Sequence, residues 1–125
     1  MSATSTALSY ITVQPDGTYT EIIPDNNSPA RYKALSDAVG GLIQWFPISK
    51  NHGGIFIHEE GKYEYPSPED RNAPAQKIAE SLGLRLFDGD WLAGPVVFAS
   101  MGPRGSDGGV TASARAAIIA ALGAQ

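Results

Sequence analysis

The stretch LSYITVQPDGTYTEII, Leu8 to Ile23, decides how this chain begins to fold. Its two arms, Leu8–Gln14 and Gly17–Ile23, are rich in β-branched and aromatic residues, which suit a pleated, half-buried surface. Between them stands Pro15-Asp16-Gly17. Proline presets φ for the first turn position, and glycine supplies the positive φ of a tight reversal. The reading is a β-hairpin, preceded by a tail, residues 1–7, expected to be disordered.

Working outward, residues 24–29 (Pro-Asp-Asn-Asn-Ser-Pro) are turn formers and predict a loop. From Arg31 to Val39, the apolar residues Tyr32, Leu35, Ala38 and Val39 fall at helical spacing, and Gly40-Gly41 ends that helix. Leu42–Ile48 and Gly54–His58 read as two further strands, with a turn at Glu59-Glu60-Gly61-Lys62 and an extended Tyr63–Tyr65. After Arg71-Asn72, a stripe of Ala75, Ile78, Ala79 and Leu82 predicts a helix that Gly83 caps. Leu84–Phe87 and an Asp88-Gly89-Asp90 turn lead to Trp91–Ala99, an apolar run that reads as a buried central strand. Pro95 makes it irregular at one point. A Gly-rich loop, Met101–Gly109, then precedes Thr111 and an Ala-rich helix to about Leu122. Strands and helices alternate without the regular crossover of a nucleotide-binding fold. The fold class expected is therefore α+β: a single domain over residues 8–125, with a mostly antiparallel sheet carrying its helices on one face.

Composition narrows the function classes. The chain has 125 residues, 42% of them hydrophobic and only 18% charged, with 13 acids against 9 bases for a net charge of −4. A duplex nucleic-acid binder draws its affinity from Lys and Arg on phosphates, so this balance argues against one. With no cysteine there is no disulfide, thiolate metal site or thiol nucleophile. No apolar run approaches the ~20 residues of a membrane helix, and the first residues lack the basic and apolar segments of a signal peptide. A soluble, cytoplasmic protein without membrane contact is expected.

Several blocks together are familiar: Pro15-Asp16-Gly17-Thr18, Leu35 with Val39-Gly40-Gly41-Leu42-Ile43-Gln44, Glu59-Glu60-Gly61-Lys62, Asn72 three residues before Ala75, and Asp90-Trp91-Leu92-Ala93-Gly94-Pro95-Val96-Val97. In order and spacing they resemble the family called domain of unknown function 3846, small proteins of phages, plasmids and other mobile elements. The resemblance spans roughly residues 8 to 100 and is most specific around Gly40-Gly41. This chain departs from it in a longer segment between Gly61 and Asn72, in the Gly-rich loop and in the Ala-rich tail. The resemblance implies a mobile-element setting and carries no catalytic residues with it.

Among candidate chemistries, His52 and His58 are the only histidines, and neither stands in a zinc-binding motif. Glu59, Glu60, Asp88 and Asp90 flank turn glycines, where acids are ordinarily solvated. No metal or cofactor is expected. The most suggestive segment is the loop before the last helix. Arg104, Gly105, Ser106, Gly108, Gly109 and Thr111 could offer backbone N–H groups, a helix start and a guanidinium to an anion. The Walker pattern fails, since no Lys stands before Thr111. Trp45 and Trp91 complete the candidate ligand-binding set as stacking surfaces. The terminal helix, poor in charge with Arg115 its only charged residue and Ala114, Ile118 and Leu122 on one side, is expected to pack on the sheet or against another copy in a homo-oligomer.

The expected function is a non-enzymatic binding protein of phage or mobile-element type. It would sequester a host protein or a small anionic ligand, such as a signalling nucleotide, and so counteract host defence. The alternatives are a small hydrolase using His58 with Glu59 or Asp90, with or without a metal, and a purely structural scaffold.

Overall fold

A computed structural model of the chain describes residues 10–22, 28–49, 53–60, 64–85, 91–101, 107–108, 110 and 112–123. The expected tail, residues 1–7, and the turn at residues 88–90 lie outside them. The opening hairpin forms: β1, Tyr10–Val13, pairs antiparallel with β2, Tyr19–Ile22. Gly17, at φ +90°, closes its turn by donating its N–H to the Gln14 carbonyl at 2.9 Å. Asp16 accepts from the hydroxyl and the N–H of Thr18, at 2.6 and 2.9 Å, and these bonds hold its carboxyl below the usual carboxylate range.

Helix α1, Ser28–Val39, begins about one turn before the apolar spacing does, because Pro29 is tolerated where a helical N–H has no partner anyway. It stops at Gly40, φ +87°. There the N–H groups of Gly40 and Gly41 both donate to the Ser36 carbonyl, at 2.8 and 3.0 Å. A second hairpin follows, made of β3, Ile43–Ser49, and β4, Gly53–His58. Beyond a 3-10 turn at Pro68–Asp70 come α2, Ala73–Leu82, then β5, Val96–Met101, β6, Asp107–Gly108, and α3, Ala112–Gly123. Asn72 caps the start of α2 and Gly83, φ +124°, its end.

The strand order is β2-β1-β5-β4-β3, with every neighbouring pair antiparallel and β6 attached to the last two residues of β5. The architecture is the α+β class expected, with one correction to its layering. Pleating sends alternate residues to opposite faces. Ile11, Val13, Ile55, Val96 and Phe98 meet Ala75, Ile78, Ala79 and Leu82 of α2 and Ala114 and Ile118 of α3. Tyr10, Phe56, Val97 and Ala99 meet Leu35 and Val39 of α1. Helices thus cover both faces, not one. The cause is β5, whose Val96, Val97, Phe98 and Ala99 are all buried, so that each face needs its own cover.

Other boundaries shift for local reasons. The apolar run from Trp91 becomes strand only at Val96, because Pro95 has no N–H to give a ladder and Gly94 takes φ +73°. Residue 64 is in helical conformation, its N–H donating to the Glu60 carbonyl at 2.9 Å, so the extended segment expected at Tyr63–Tyr65 is not strand at residues 64 and 65, and Tyr63 lies outside the described residues. Tyr32 and Leu42, both expected in apolar elements, are 49% and 59% exposed. The terminal helix packs on the sheet through Ala114, Ile118 and Leu122, and Arg115 ties it to β2 with two bonds to Glu21, at 2.8 and 3.1 Å. Among the described residues, no helix is long and apolar enough to cross a membrane.

Candidate functional site

The loop on which the anion-binding expectation rests falls mostly outside the described residues: Arg104, Gly105, Ser106, Gly109 and Thr111 do so entirely. Its described part is not loop. Asp107 and Gly108 form β6 and pair with Met101 and Ser100, so Gly108 is a strand residue at the C-terminal end of β5. Trp91 lies in the segment entering the opposite end of that strand. The six residues of β5 span roughly 17 Å at ~3.4 Å per residue, so Trp91 and β6 belong to opposite ends of the sheet. Trp45 sits on β3, half-buried, its ring centroid 4.8 Å from that of Phe56 and tilted by 52°. It rests over Gly54, where a Cβ would run into the ring. This tryptophan is packing for the α1 side of the sheet, and the structure does not bring it together with Trp91 in one pocket.

His58 ends β4 and is buried. Its Nδ1 accepts the N–H of Glu60 at 2.9 Å. A neutral imidazole that accepts at Nδ1 carries its hydrogen on Nε2, so no lone pair remains for a metal or for a proton from a substrate. Tyr65 meets the ring edge-on, with centroids 6.0 Å apart, and Gly41 lies so close to Nε2 that a Cβ would collide with it. The Tyr65 hydroxyl donates to the Val39 carbonyl at 2.9 Å. Burial, helped by Glu64 and Asp70, pushes its phenol above the usual range. Glu59 and Glu60 are exposed, and His52, Asp88 and Asp90 lie outside the described residues. Among the described residues, no three His, Asp or Glu are grouped to hold a metal.

The adjoining corner, around Asn72, is organised by residues that form no chemical motif in the sequence. Asn72 is fully buried. Its Nδ2 donates to the carbonyls of Val13 and Gly94, at 2.7 and 2.9 Å, while its Oδ1 accepts the Ala75 N–H at 3.0 Å. One side chain thus caps α2, holds the end of β1 and fixes the approach to β5. Its own N–H donates to the Leu92 carbonyl at 2.8 Å, and the Leu92 N–H donates to Gln76 Oε1 at 3.0 Å. Arg71 forms an isolated antiparallel bridge with Ala93. The result places the Arg71 guanidinium over the Trp91 ring, 4.1 Å from its centroid. Arg71 is exposed and Trp91 half-buried. The helix-start signature at Asn72 was visible in the sequence. No spacing rule joins Arg71 to a tryptophan twenty positions later.

No family model, curated protein or solved structure matches the chain.

Proposed function

We propose that this chain is a non-catalytic binding protein that acts by occupying a partner, with a small anionic ligand favoured over a host protein. The observation that carries the reading is a contrast in direction. Of the described groups with acid–base or metal chemistry, His58 and Tyr65 are turned inward and bonded to backbone, while Glu59 and Glu60 lie exposed. Arg71 and Trp91, a pair suited to recognition, stand at the surface on a braced backbone. The resemblance to a family of mobile elements supports a setting in the cytoplasm of a host cell, where removing a signalling nucleotide from circulation would blunt a defence. The test is calorimetric titration with a panel of nucleotides, followed by phosphorus NMR of the same mixtures. Saturable heat with no product resonance appearing in the phosphorus spectrum is the expected result. Conversion of any bound compound to product, in proportion to protein added, overturns the reading.

A further inference from the structure

Resting on the binding reading, we propose that the Arg71–Trp91 pair is where the ligand is gripped, and that the group it grips is an oxyanion presenting two oxygens, a phosphate or a carboxylate. Three observations lead there. The guanidinium carbon lies 4.1 Å from the Trp91 ring centroid, so the ring takes up the face of the cation and leaves its N–H rim for other partners. Among the described residues no acceptor takes those hydrogens: Lys33 pairs with Asp37 and Arg115 with Glu21, and no described carboxylate pairs with Arg71. This holds although two acids, Glu69 and Asp70, immediately precede it. The backbone leaves the 3-10 turn at Arg71 for an extended conformation, φ −65°, ψ 129°, while Glu69 takes the hydroxyl of Ser67 instead.

The third observation is rigidity. The Arg71 N–H donates to the Pro68 carbonyl at 3.2 Å, the Gly94 N–H to the Asp70 carbonyl at 2.8 Å, and Asn72 and Gln76 hold both sides of Leu92. The backbone at Arg71 is therefore bonded in place, and Leu92, which follows Trp91, is held at both its N–H and its carbonyl. An arginine held ready in this way loses less freedom on meeting an anion than a lone surface arginine does. The guanidinium fork matches two coplanar oxygens, which a lysine ammonium cannot reproduce. The net charge of −4 supplies no long-range attraction for an anion, so selectivity at this site comes from contact geometry.

The test follows the indole N–H resonance of Trp91, assigned by its survival in Trp45→Phe, during separate titrations with inorganic phosphate, adenosine monophosphate and acetate at constant ionic strength. A saturable shift is expected with at least one of the three, and the responding probe tells a phosphate ligand from a carboxylate. Arg71→Ala should abolish the shift while leaving the thermal midpoint in place, and Arg71→Lys should weaken binding about tenfold, as loss of a bidentate contact implies. A resonance that stays still with all three probes, or moves equally in Arg71→Ala, overturns the proposal. So does a shift that chloride reproduces. Calorimetric binding retained by Arg71→Ala removes this site and leaves the binding reading standing; turnover of a bound compound removes that reading and leaves the grip intact.

Discussion

Two corners at the same end of the sheet are held by opposite means. Around Asn72 the joint is polar: a single amide group satisfies two carbonyls and one N–H from three separate segments. Around His58 and Tyr65 the joint is steric, with rings resting where Gly41 and Gly94 leave no Cβ in the way. The corners meet at Gly94, whose carbonyl serves the amide and whose Cα faces the Tyr65 ring. The difference teaches where a substitution hurts. A polar joint fails when its centre is removed, because buried groups lose their partners. A steric joint fails when something is added.

The largest effect should come from Asn72→Ala, which strands three buried backbone groups and uncaps α2. A loss of about 3 kcal/mol is expected in urea unfolding. Asn72→Asp should recover the cap alone, since a carboxylate cannot donate to Val13 or Gly94, and a full recovery would contradict the polar account. Gly94→Ala comes next. A side chain at φ +73° costs roughly 1–2 kcal/mol, and its Cβ would meet the Tyr65 ring at 2.5 Å. The double variant Gly94→Ala with Tyr65→Ala separates the two causes: it should return the collision's share and keep the backbone's.

Tyr65→Phe should cost about 1 kcal/mol at neutral pH by removing the bond to the Val39 carbonyl. The phenol is pushed up in the folded chain, so Tyr65 ionises more readily when unfolded. Its contribution is therefore complete below the ordinary tyrosine value of about 10 and is lost as pH climbs through the raised native value. The stability gap between the wild type and Tyr65→Phe should narrow from pH 9 to pH 11 in urea titrations. The smallest effect is a gain. Thr12 on β1 is buried with no hydrogen-bond partner for its Oγ1, so Thr12→Val should raise stability by up to about 1 kcal/mol. A loss would mean that the hydroxyl has a partner after all.

Local chemistry was legible where a residue's neighbours in sequence decide its conformation. Pro15-Asp16-Gly17 made a turn, Gly40-Gly41 ended a helix, and the stripe from Ala75 to Leu82 faced the core. What stayed hidden depends on partners far along the chain. That α1 would take the face opposite α2 follows from β5 being buried on both sides, which becomes evident only once β5 lies between β1 and β4. The apolar run from Trp91 concealed where ladder pairing begins, since hydrophobicity alone does not say which N–H groups are bonded. Within the candidate set, Trp91 came with its chemistry but without its partner. Arg71 reads as an ordinary surface charge until the bridge to Ala93 places it beside the indole.

The central position of β5 also has a consequence for synthesis. Both hairpins leave the ribosome long before Val96 does, and β1 and β4 gain the neighbour they share only after that residue has emerged. Until then each nascent hairpin presents a bare inner margin, able to pair with a foreign strand, so a pause in translation just ahead of Val96 is the moment when this polypeptide is most exposed to clumping and to proteases.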